Sequence, residues 1–87
     1  MVTAEHAGAI LTIDLGAIAA NYRLLGARAG AAECAAVVKS DAYGLGLEPV
    51  ARTLAAAGCR QFFVAQIGEG IELRRILSDT AAGQAAI

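Results

Sequence analysis

Ala35-Ala36-Val37-Val38-Lys39-Ser40-Asp41-Ala42-Tyr43-Gly44-Leu45-Gly46 passes from a wholly apolar run into turn residues at the only lysine of the chain. A run that apolar reads as a strand covered on both faces, which points to a parallel sheet. The strand is predicted over 34–39, so Lys39 stands at its C-terminal end. In parallel α/β architectures that end opens on the crevice where ligands bind. All other Lys/Arg positions are arginine. Lys39 is therefore a candidate amine nucleophile, suited to attack on a carbonyl. The competing reading is a strand-end lysine that lays its stem over apolar neighbours.

Working outward, Ile10-Leu11-Thr12-Ile13-Asp14 alternates like a short half-buried strand. Asp14 then suits the N-cap of a helix over 15–28, whose apolar face carries Leu15, Ile18, Tyr22 and Leu25. Gly30 suits the positive-φ residue beyond its end. Downstream, Glu48-Pro49 opens a second helix with proline at the first position, Val50 and Leu54 facing the core and Gly58 as the stop. Phe62-Phe63-Val64-Ala65 reads as a second buried strand. Ile67 to Leu77 is a third helix with Ile71 and Leu77 on its apolar side. Ser78 to Gln84 is a connection, and Ala85-Ala86-Ile87 has the composition of a further strand. Repeated βα units with apolar strands give an α/β fold, either doubly wound or a (β/α)8 barrel. A whole barrel needs about 250 residues, so 87 residues supply about two of eight barrel strands plus the short strand before them. Residues 1–9 are predicted to fray, and 10–87 to form part of one barrel domain.

Composition narrows the functional classes. A net charge of −1 offers no basic stripe for nucleic acid and no polybasic membrane patch. No stretch reaches the roughly 18 uncharged apolar residues of a membrane span. The N-terminus lacks the basic start and apolar run of a secretory signal, so a cytoplasmic setting is expected. Cys34 and Cys59 read as structural thiols, and with His6 as the only histidine no metal site is expected.

The segment Val37 to Gly46 resembles the pyridoxal-phosphate signature of bacterial alanine racemases, VVKA(D/N)AYGHG. Leu11 to Ile18 with Asn21-Tyr22 is similar to the N-terminal "IDLxAixxNyr" segment of that family. Ala56 to Ala65 and Glu69 to Arg74 are similar to its second barrel strand and the "eg-xeLR" helix after it. Together these cover roughly residues 9–87. The resemblance implies a TIM-barrel enzyme of the type III pyridoxal-phosphate class, interconverting L- and D-alanine for peptidoglycan synthesis as a homodimer. It makes Lys39 the Schiff-base lysine and a catalytic base, and Tyr43 a ligand of the cofactor phosphate. For Tyr43 the alternative is an aromatic packed under the loop. Gly44 and Gly46 read as positive-φ residues, and Asp41 as a turn former rather than an acid. Leu45 departs from the family pattern, which often has histidine there.

The resemblance also implies that the opposite-face tyrosine, the arginine at the pyridine nitrogen and most phosphate ligands belong to segments outside these residues. Residues 1–87 alone are accordingly expected to be inactive. Related readings stay open: a broad-specificity racemase, an amino acid decarboxylase, a non-enzymatic pyridoxal-phosphate-binding barrel protein, or a packing module that binds nothing. The DAYGxG continuation after Lys39 favours the racemase.

Overall fold

A computed structural model describes residues 13–30 and 32–87. Helix α1 (Leu15–Ala29) begins where Asp14 Oδ1 accepts from the Ala17 amide at 3.0 Å, satisfying one of the orphan donors of the first turn. The strand expected over 10–14 lies largely outside the described residues, and Ile13 and Asp14 are not in a strand. Strand β1 (Ala36–Val37) leads into α2 (Lys39–Tyr43), a single tight turn, and then α3 (Leu47–Ala56). Strand β2 (Phe62–Phe63) and α4 (Ile67–Leu77) complete the order.

The two strands pair in parallel, Ala36 opposite Phe62 and Val37 opposite Phe63. Parallel neighbours need a crossover, and α3 supplies it. On the other side of β2, Phe62 N–H donates to Ala86 O at 2.8 Å and Ala86 N–H to Arg60 O at 3.0 Å. The segment at 85–87 thus enters the sheet by one parallel bridge, Gln61 to Ala86.

The core is built from one face of this sheet and the helices over it. Val38, Ala51, Cys59, Phe62, Leu73, Ile76 and Leu77 are almost wholly enclosed, with Val50 and Leu54 of α3 beside them. Leu15, Ile18 and Tyr22 of α1 pack against the edge of that cluster. The Tyr22 hydroxyl donates to Cys34 O at 3.3 Å, which ties α1 to the lead into β1.

Five expectations are corrected by this arrangement. The strands are shorter than 34–39 and 62–65, and they are covered on one face only: Val37 is 49% exposed and Phe63 53%. The two side chains sit opposite each other in register, and Phe63 also lines an open groove with Ile67 and Ile71 of α4. Leu25 and Ile71 also point outward. The apolar faces shift to Leu15, Ile18, Ala19 and Tyr22 in α1, and to Leu73, Ile76 and Leu77 in α4. Finally, α3 starts at Leu47, two residues before Pro49. Proline is still tolerated there because amides of the first turn have no intrahelical acceptor. Cys34 precedes β1 rather than lying in it, and both cysteines are free thiols.

Candidate active site

Lys39 leaves the sheet at the C-terminal end of β1 and opens α2. The four residues after it, Ser40, Asp41, Ala42 and Tyr43, all have φ between 55 and 57°, and Gly44 follows at φ 84°. The segment is one turn of left-handed helix made from non-glycine residues. Such backbone costs about 1–2 kcal/mol per residue, because Cβ crowds the following carbonyl. Local propensity does not select it, so its surroundings must hold it.

Those surroundings can be named. Val38 O accepts from the Ala42 amide at 3.0 Å, and Ser40 O from Gly44 N–H at 2.9 Å. Asp41 O accepts from Gly46 N–H at 3.0 Å, while Asp41 Oδ1 accepts from Leu47 N–H at 2.8 Å at the start of α3. Asp41 is thus a turn former, closing the loop onto the next helix. Ala42 is buried in the core, where the methyl group anchors the turn. Gly44 and Gly46 take positive φ, as their place after the strand suggests.

The last restraint comes from a residue that sequence reasoning does not single out. Glu69, at the third position of α4, spreads its carboxylate over two loops. Oε2 accepts from Ser40 N–H at 2.6 Å, and Oε1 from Ala65 N–H at 3.1 Å and Gln66 N–H at 3.2 Å. Desolvation pushes its pKa up, but the amides of Ala65, Ser40, Gln66 and Asp41 outweigh that and hold it below the usual carboxylate range. The signal available in sequence was the capping box Gln66-x-x-Glu69 at the start of α4. The reach to Ser40 had no signal.

A left-handed turn of this pitch sends the side chains of Lys39 and Tyr43 to the same side. Lys39 Nζ lies 5.9 Å from the centroid of the Tyr43 ring. Tyr43 is 61% exposed, so it does not pack beneath the loop. An exposed amine and an exposed phenol therefore share the mouth of β1. Leu45 is half-buried against the core. An open apolar groove of about 590 Å3 lies elsewhere, between β2, α4 and Ile87, and neither Lys39 nor Tyr43 lines it. No cluster of three or more metal-ligating side chains occurs among the described residues. No helix among them is long and apolar enough to cross a membrane.

The family model for the alanine racemase N-terminal domain matches residues 13–82. The alanine racemase of Methylobacterium nodulans is 60% identical over 77 residues, which cover 88% of this chain and 20% of that protein. Alanine racemase 3 of Salmonella typhi is 49% identical over 77 residues, covering 88% and 21%. Among solved structures, the alanine racemase of Bartonella henselae with covalently bound pyridoxal phosphate superposes with a TM-score of 0.74 at 51% identity, over 78% of this chain and 19% of that one. The Corynebacterium glutamicum alanine racemase gives 0.72 at 47% identity, over 78% and 20%. The chain spans about a fifth of the length of these relatives. Its two parallel βα units are an N-terminal piece of their (β/α)8 barrel. On sequence and fold together, the chain belongs to the alanine racemase N-terminal-domain family.

Proposed function

We propose that these residues carry the lysine-bearing part of a pyridoxal-phosphate-dependent alanine racemase, an isomerase that interconverts L- and D-alanine. The observation that carries the reading is the pairing of Lys39 with Tyr43 on one left-handed turn at the mouth of a parallel strand, in a chain of this family. A primary amine 5.9 Å from the centre of a phenol ring, both at the mouth of one strand, suits a ligand with an aldehyde at one place and a phosphate at another. Pyridoxal phosphate has both, and it is the covalently bound group named for the Bartonella henselae relative.

In this reading Lys39 would hold the cofactor through its amine and Tyr43 through a hydrogen bond from its hydroxyl to the phosphate. The bound group supplies an electron-withdrawing ring that acidifies the α-hydrogen of an amino acid. With its amine free, Lys39 would remove or return a proton at the α-carbon of the bound amino acid from one face. Racemisation needs a second acid–base group on the opposite face, contributed by other residues of the enzyme. The left-handed turn has a direct role here, because proton transfer needs heavy atoms within hydrogen-bond reach. A floppy lysine would seldom meet that condition. The same reading places the product in peptidoglycan synthesis, the enzyme in the cytoplasm and its active unit in a homodimer.

The test is to express the gene product that carries these residues, add pyridoxal phosphate, and follow L-alanine in deuterated water. Formation of D-alanine with deuterium at the α-carbon is expected, and Lys39→Ala should abolish it. Release of carbon dioxide and an amine instead would make the protein a decarboxylase of the same fold.

A further inference from the structure

We infer that Glu69 is a positioning residue for Lys39, fixing the left-handed turn so that the amine projects from β1 in one direction. This rests on the proposed racemase function and adds to it a residue that touches neither substrate nor cofactor. Ser40 N–H is the amide immediately after Lys39, and it donates to Glu69 Oε2 at 2.6 Å. The other oxygen of the same carboxylate takes the amides of Ala65 and Gln66, at the junction between β2 and α4. One side chain thus joins the C-terminal ends of two neighbouring parallel strands. The backbone it holds on the Lys39 side is the strained segment, with four consecutive non-glycine residues at positive φ. Without the tether, that segment is free to relax toward right-handed or extended backbone, and Lys39 would swing with it.

The chemistry of the tether explains why a carboxylate serves. All its partners are N–H donors, so both oxygens must accept. A glutamine of the same size has one accepting oxygen and one amide that only donates. It can satisfy Ala65 and Gln66 or Ser40, but not both sides. An aspartate keeps the charge near the start of α4 but is one methylene too short to reach Ser40 as well.

The experiment compares wild type, Glu69→Gln and Glu72→Gln in the full gene product loaded with pyridoxal phosphate. Glu72 lies on the same helix and pairs with Arg75, away from the turn. Glu69→Gln is expected to keep its cofactor and KM near wild type while kcat falls about ten- to a hundredfold, the scale of a small misplacement of a reacting group. Amide exchange at Ser40 should quicken about tenfold with loss of the charge-assisted bond. Glu72→Gln should change neither quantity. If Glu69→Gln does not fold, Glu69→Asp carries the same two readouts. An active wild type with unchanged kcat or unchanged Ser40 exchange in the Glu69 variant overturns the positioning role alone. So does a loss of kcat that merely tracks the unfolded fraction. A wild type that takes up no cofactor and racemises nothing overturns the functional reading, and the positioning role with it.

Discussion

The side chain of Asp41 accepts a hydrogen bond from the Leu47 amide at 2.8 Å, so that the left-handed turn after Lys39 is closed by the first residue of the helix that follows. Asp41 serves α3 as an N-cap does, although it lies five positions before the usual cap site at Gly46. Asp41→Ala removes that acceptor and should cost about 1 kcal/mol of stability, the scale of a lost helix cap. Asp41→Asn keeps an oxygen in place and should cost less. Urea unfolding of both variants checks the order, and equal losses would contradict the capping role.

Tyr43→Phe removes only the hydroxyl from an exposed ring. A hydrogen bond to a charged phosphate contributes about 1.5–3 kcal/mol, so the dissociation constant for pyridoxal phosphate should rise about ten- to a hundredfold. Folding should be nearly unaffected, since the ring buries little. Fluorescence titration of the cofactor measures the change, and an unaltered constant would remove Tyr43 from the binding site.

The depressed pKa of Glu69 has a definite sign in stability. Its carboxylate is held ionised in the folded state by four backbone amides. The contribution is therefore complete above the unfolded glutamate value, about 4.3, and is lost as the pH falls through the lower folded value. Wild type should lose stability on acidification more steeply than Glu69→Gln, which lacks the titrating group. Melting curves taken from pH 7 downward measure the difference. Parallel curves would contradict the tether.

The described residues expose an apolar surface along α4 and the end of β2. Ile67 is 86% exposed and Ile71 67%, and both line the groove beside Phe63 and Ile87. Surfaces of that kind tend to find a partner. The isolated 87-residue chain should sediment above its monomer mass and show no measurable racemisation. Ile67→Lys with Ile71→Lys should shift it toward monomer. An active monomer would mean that the site is more local than a barrel requires.

Much of this was legible in residues 13–87 because the local signals agree with the fold. Asp14 marks the start of α1, Gly58 follows α3 closely, and Ile67 to Leu77 is the observed span of α4. The apolar run before Lys39 announced a parallel strand, and Ala36 pairs in parallel with Phe62. What escaped was tertiary. An apolar strand shows that its faces avoid water but not which neighbour covers each one, so sequence alone reads Val37 and Phe63 as enclosed on both sides. Turn residues at 40–46 announced a reversal, but not four non-glycine residues in left-handed backbone. That conformation depends on Glu69 and Leu47, partners that no local pattern ties to the turn. The side-by-side placement of Lys39 and Tyr43 follows from the same turn, whereas their proposed roles rest on chemistry and on the family.

The most direct measurement concerns the amine at the mouth of β1. The gene product is loaded with pyridoxal phosphate, reduced with borohydride, digested and mapped by mass spectrometry. The added mass is expected on the peptide containing Val37-Val38-Lys39-Ser40, located at Lys39, and should be absent from Lys39→Arg, because a guanidinium cannot take the place of a primary amine. A label on another lysine of the gene product, or undiminished labelling of Lys39→Arg, would contradict the account.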